Sequence, residues 1–148
     1  MIKNIINKLF KKKKHEEMSF RQGFDLTSLP IVTFYQGEKK FNFLLDTGSN
    51  DSIIDSNTLK EMEYTKTNLK STLMGLDCIN KEVYCVLVKL SYMSQDYPFV
   101  YIVNDMSAPF GSIKHETGVT LHGIIGSKFF NKYKYVLDFD EMIAYSKQ

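Results

Sequence analysis

The chain has 148 residues, enough for one ordinary domain and too few for two full-sized lobes. Apolar types make up 43% of it and charged types 24%, which excludes both a disordered tail and a membrane bundle. The net charge of +2 conceals a split: residues 1–14 carry six lysines and no acid, which leaves 13 basic against 17 acidic residues, or −4, in residues 15–148. Arg21 is the one arginine, so the body lacks a phosphate-tracking surface and no nucleic-acid partner is expected.

The chain opens on MIKNIINKLFKKKK. Its apolar run is broken by Lys3, Asn4, Asn7 and Lys8, and most of its lysines follow the apolar stretch, the reverse of a signal peptide. Ile2, Ile5, Ile6, Leu9 and Phe10 recur at helical spacing, which predicts an amphipathic helix trailed by four lysines. Such a leader can lie peripherally on an anionic membrane face, pack against a subunit or serve as a pro-segment. We divide the chain into this basic leader, 1–23, and one domain, 24–148. Cys78 and Cys85 fit neither a disulfide framework nor a CxxC site and read as reduced thiols in a cytoplasmic protein.

From Leu26 onward short runs rich in β-branched and aromatic residues alternate with turn residues, which predicts a mostly β domain. Residues 31–35 and 41–45 read as a first hairpin with Gly37 at its turn, and 56–62 as a short helix capped by Ser56. Two longer strands follow at 69–75 and 82–93, then a strand at 98–103. A loop containing Ala108, Pro109 and Gly111 comes next. The segment 121–126, a short helix over 127–133 and a hairpin of 135–139 with 142–145 complete the chain. This order predicts an all-β barrel with one short helix near its C-terminus.

The most specific stretch is Phe43-Leu44-Leu45-Asp46-Thr47-Gly48-Ser49. An apolar strand delivers a carboxylate into a tight turn, where Gly48 avoids a Cβ clash and the hydroxyls of Thr47 and Ser49 can hydrogen-bond around it. Further on, His122-Gly123-Ile124-Ile125-Gly126 sets two glycines around two isoleucines, a pattern suited to close backbone approach behind an active-site loop.

These motifs, in this order, resemble the retropepsin-like aspartic proteases, a single-domain family that includes the retroviral proteases. In that family an apolar run into Asp-Thr-Gly-Ser is followed by a flap hairpin, an apolar-apolar-Gly element, a short helix and a last strand like Val136-Leu137-Asp138-Phe139. The resemblance covers roughly residues 27–146. It implies the closed acid-protease barrel and aspartic endopeptidase activity, with Asp46 catalytic and Thr47, Gly48 and Ser49 forming the active-site loop. Thr47 would tie two such loops together, and Ser49 would hydrogen-bond the carboxylate. It further implies a substrate-binding flap from about Thr72 to Tyr84, with Met74, Gly75 and Leu76 on its first arm. Gly123, Ile124, Ile125 and Gly126 would support the loop from beneath.

Peptide hydrolysis with no metal, no cofactor and no covalent nucleophile needs two carboxyl groups of opposite protonation. One Asp-Thr-Gly therefore implies a homodimer with an Asp46 from each subunit at its axis, acting on peptide or protein. Glu116-Thr117-Gly118 reads as a polar loop and not a second site, and Asp138 and Asp140 as hydrogen-bonded acids of a terminal turn. The His115, His122, Cys78 and Cys85 set matches no zinc-ligand spacing. The chain departs from the retroviral pattern in lacking an arginine after Gly126 and a glycine-rich flap tip. A catalytically silent scaffold on the same barrel, recruited to a membrane by its leader, is the alternative reading.

Overall fold

The computed structural model describes residues 18–74 and 80–148. The leader through residue 17 and the flap tip, with Gly75, Leu76 and Cys78, lie outside the described residues. The first element among the described residues is a helix the strand pattern did not anticipate, α1 (Phe20–Thr27). Its signal was present in the sequence: Ser19 and Gln22 form a reciprocal capping box. Phe20 is buried in the core, and Gly23 lies so close to β1 that a Cβ there would sit 2.4 Å from the Ile31 carbonyl oxygen. Arg21 reaches the Glu141 carbonyl, and Phe139 meets Phe20 and Phe24 edge to face. The boundary drawn between residues 23 and 24 thus falls inside a packed helix.

Strands β1 (Ile31–Gln36) and β2 (Lys39–Leu45) form the expected first hairpin, with Gly37 at φ +61°. A short strand, β3 (Ile53–Asp55), leads to a 3-10 turn at Thr58–Glu61. The predicted helix over 56–62 shrinks to that turn, and its cap position is Asn57 without a side-chain hydrogen bond, not Ser56. Two long strands follow, β4 (Thr65–Met74) and β5 (Asn80–Tyr92), then β6 (Gln95–Asn104). The β5–β6 turn is Met93-Ser94, both at positive φ; without glycine or asparagine, this turn carried no sequence signal.

The stretch expected to be a loop around Ala108, Pro109 and Gly111 is instead a helix, α2 (Ser107–Thr117). Pro109 is accommodated because it falls in the first turn, where backbone N–H groups have no intrahelical acceptor. Gly118, at φ +77°, ends the helix in the left-handed conformation, so Glu116-Thr117-Gly118 is a helix terminus and not a loop. The chain closes with β7 (Gly123–Ile125), α3 (Ser127–Lys132) and the hairpin of β8 (Tyr135–Asp138) and β9 (Ile143–Ser146). Asp138 accepts backbone N–H bonds from Asp140 and Glu141 and thereby shapes that hairpin's turn.

The sheet order β1-β2-β7-β3-β6-β5 closes on itself where Tyr35 of β1 pairs with Ser91 of β5, giving a six-stranded barrel with β4 added outside. The side-chain period of two sends one set of residues in and the other out. The interior holds Phe34, Phe43, Ile54, Tyr101, Val103 and Phe129 among others, with aromatic rings in repeated edge-to-face contact. The exterior set forms a continuous cross-strand row, Ile31–Leu44–Ile124–Ile53–Ile102–Cys85. Except for half-buried Leu44, every member of the row is buried in a second apolar cluster.

Gly123 sits in the interior between Phe43 of β2 and Ile54 of β3. A Cβ there would lie 2.4 Å from the Phe43 ring and 2.5 Å from the Ile53 carbonyl oxygen. The Gly123→Ala variant is therefore expected to lose about 3 kcal/mol of stability, since neither a packed ring nor ladder backbone can give way. Urea denaturation checks this; a loss within about 0.5 kcal/mol would show that the three strands can spread.

Candidate active site

Asp46 follows directly on β2, whose alternation buries Phe41, Phe43 and Leu45. Its backbone N–H donates to the Ile125 carbonyl at 2.9 Å, so pairing with β7 continues up to the carboxylate-bearing residue. Asp46 Oδ1 accepts the Gly48 N–H at 2.9 Å, and the Asp46 carbonyl accepts the Ser49 N–H at 3.2 Å. The turn is thus an Asx-type turn that aims the carboxylate by its own backbone. A Cβ at Gly48 would lie 3.2 Å from that same oxygen, which is why glycine suits the position. Asp46 is half-buried while Thr47 and Gly48 are exposed, so the acid stands at a surface.

The loop is held from behind by the start of α3. The N–H groups of Ser127 and Lys128 donate to the carbonyls of Ser49 (2.7 Å) and Asn50 (3.1 Å), and the Ser127 hydroxyl donates to the Thr47 carbonyl at 2.8 Å. A side chain at Gly126 would come within 2.4 Å of the Asp51 carbonyl oxygen and 2.7 Å of that of Ser49. Gly126 thus admits the loop's backbone, while Gly123 admits the Phe43 ring and the Ile53 carbonyl oxygen. Ile125 faces the barrel core and Ile124 the exterior row.

Three contacts depart from the sequence-based picture or lie beyond it. The Ser49 hydroxyl donates to the Asp51 carbonyl at 2.7 Å and so stiffens the loop; the expected bond to the Asp46 carboxylate is not among its contacts. Ser52, buried, accepts the Gly126 N–H on its hydroxyl at 2.9 Å. Lys128 pairs with Asp51 at 2.6 Å, so the position after Gly126 and Ser127 provides a cation without an arginine. Both partners are substantially exposed, which limits the pair to at most about 1 kcal/mol. Asp51 also acts on its surroundings: burial first, then this carboxylate, pushes the Cys85 thiol above its usual range.

Other candidate residues are spread out. Met74 ends β4 in antiparallel register with Asn80 of β5, within the stretch read from sequence as a flap. A cleft of about 370 Å³ opens at the base of that hairpin, lined by Lys70, Lys81, Glu82, Tyr84, Asn104 and Asp105 among others. His115 is exposed on α2, whereas half-buried His122 meets the Phe41 ring edge to face and accepts the Asn42 N–H on Nδ1 at 2.9 Å. Among the described residues, no three His, Cys, Asp or Glu side chains gather closely enough to hold a metal ion.

A six-stranded closed barrel, an Asp-Thr-Gly turn at the end of β2 and a Gly-Ile-Ile-Gly strand beneath it define the retropepsin-like fold. A solved structure agrees. The retroviral protease-like domain of Ddi1 from Leishmania major superposes with a TM-score of 0.56 at 11% identity, over 81% of this chain and 89% of that one. Also similar are EIAV protease complexed with the inhibitor HBY-793 (TM-score 0.48, 18% identity, 70% and 86% covered) and a retropepsin-like aspartic protease from Rickettsia conorii (TM-score 0.41, 14% identity, 74% and 76% covered). No protein-family model and no curated protein matches the chain.

Two outcomes test this site's construction. Ser52→Ala strands the buried Gly126 N–H and should cost about 1–3 kcal/mol in chemical denaturation; an unchanged midpoint would mean that this bond holds nothing. Burial lowers the His122 pKa below its ordinary 6.5, outweighing the nearby charges of Glu61 and Asp55. As pH falls through 6.5 the unfolded chain takes a proton that the folded chain resists, so stability drops on the acid side and is retained above it. His122→Asn, which keeps an acceptor for Asn42 but cannot titrate, should show a shallower fall of Tm between about pH 7 and pH 5.

Proposed function

We propose that the chain is an aspartic endopeptidase that acts as a homodimer, with Asp46 of each subunit meeting at the twofold axis. The observation that carries this reading is the placement of Asp46: a half-buried carboxylate, its Oδ1 held by the Gly48 N–H, at an exposed Thr47-Gly48 turn on the retropepsin-like fold. One rigid carboxylate cannot both take a proton from water and give one to a peptide carbonyl. The sequence has a single Asp-Thr-Gly, so the second carboxyl comes from a second chain.

In the assembled pair, like charges in close approach cannot both ionise, and the two groups share one proton. The ionised carboxylate removes a proton from water as the water oxygen bonds to the scissile carbon. The protonated partner gives its proton to the carbonyl oxygen, producing a neutral gem-diol. Transfer of a proton to the amide nitrogen then accompanies C–N cleavage and regenerates the carbonyl as a carboxylic acid. The Gly48 and Ser49 N–H bonds that shape the turn keep each carboxyl in place, so little reorganisation is needed at the moment of reaction.

The Asp46→Asn variant should lose about a thousandfold or more in cleavage of a mixed peptide library across roughly pH 4–7, with circular dichroism unchanged. Wild-type specific activity should rise with protein concentration until the dimer saturates. Undiminished cleavage by Asp46→Asn would sink the assignment. A verified dimer without cleavage would favour a binding module on the same barrel.

A further inference from the structure

The apolar row that begins beside Asp46 is largely covered by the chain itself, with Leu44 half-buried and the rest of the row buried. Leu44 lies two residues before Asp46 and so shares its side of β2; Ile124 and Ile53 continue that side across β7 and β3. Onto this row pack Phe110 and Ile113 of α2, with Val119 and Leu121 from the segment that follows. The helix is lightly held for its length. Phe110 is the one buried residue among its 11, and Ser107, Ala108, Pro109, Gly111, Ser112 and Lys114 face solvent. Its entry is fixed by the Met106 N–H on the Asp55 carboxylate (2.9 Å) and by Asp105 accepting the Ser107 N–H (2.9 Å). Its exit is Gly118, whose left-handed φ makes it a natural pivot. The cleft of about 370 Å³ opens beside the Asp105 entry and reaches Val83, a member of the covered cluster.

We propose that α2 is a cover acting in cis: Phe110 and Ile113 occupy the apolar surface next to the Asp46 carboxylate, and an extended peptide with bulky apolar side chains gains that surface only when α2 lifts. The proposal rests on the endopeptidase reading for its ligand class but not for its test. A cover that competes with a ligand reduces apparent affinity by the fraction of time the surface is open, so a chain covered about nine-tenths of the time binds about tenfold more weakly than an uncovered one. Truncating the side chain that seats the helix then strengthens binding. A helix that merely completes the core, or forms a wall of the ligand pocket, predicts the opposite sign.

The experiment uses a fluorescein-labelled octapeptide with Phe and Leu at its centre, titrated into Asp46→Asn and into Asp46→Asn with Phe110→Ala, followed by anisotropy. Because neither protein needs to cleave, failure here is distinct from failure of the endopeptidase reading. The double variant should bind several-fold to about tenfold more tightly. Equal or weaker binding by a folded double variant, or no binding by either protein, overturns the proposal. Should Phe110→Ala not fold, hydrogen exchange on Asp46→Asn decides: residues 110–117 should lose protection when the peptide is added while β5 and β6 keep theirs. Unchanged or increased protection of α2 overturns the cover.

Discussion

Everything at the candidate site depends on one backbone junction, the approach of the Thr47–Asp51 loop to Gly126, Ser127 and Lys128. Two helix-start N–H groups, which have no acceptor within their own helix, find the Ser49 and Asn50 carbonyls, which have no strand to pair with. Each satisfies a need the other element creates. The contact is possible only because Gly126 lacks a side chain, since a Cβ would lie 2.4 Å from the Asp51 carbonyl oxygen. The Ser52 hydroxyl on the Gly126 N–H and the Lys128–Asp51 pair add to the same seam from its buried and exposed sides.

That seam is carried by the barrel beneath it. β7 lies between β2 and β3, parallel to one and antiparallel to the other, so the strand bearing Asp46 and the strand receiving its loop are both registered on Gly123-Ile124-Ile125. The interior is dominated by aromatic rings that meet edge to face, with Phe129 of α3 touching Phe34, Tyr97 and Phe99. Anchoring α3 through Phe129 fixes its N-terminus, and the N-terminus fixes the loop. A chain of packing therefore links the core to the carboxylate, and it explains how an acid on a surface turn can still be held rigidly.

Much of this was legible before any coordinates. The run Phe43-Leu44-Leu45 into Asp46 states a buried strand ending in an acid, and the glycines at 123 and 126 state close approach; both are local patterns with local causes. Helices α1 and α2 were not read, for different reasons. The α1 capping box was visible at Ser19 and Gln22 but stood beside a basic leader that drew the domain boundary past it. Proline and glycine within five residues of each other made α2 look like a loop, and its single buried residue, Phe110, gives no amphipathic stripe to read. The Met93-Ser94 turn was silent because long-range strand pairing, not turn chemistry, imposes its positive φ values.

By itself, then, the sequence determined the alternation that separates barrel interior from exterior, the acid-turn motif at Asp46 and the glycine positions where backbone must meet backbone or ring. These follow from side-chain period, steric freedom and hydrogen-bonding capacity, which are properties of a residue and its near neighbours. Tertiary structure alone decided which groups met: the Ser49 hydroxyl with Asp51 instead of Asp46, Ser52 with Gly126, Lys128 with Asp51, His122 with Asn42, and α2 over the row that begins at Leu44. A hydroxyl or an apolar side chain has many competent partners, and the choice among them is made by the closure of the barrel, which brings together residues far apart in the chain.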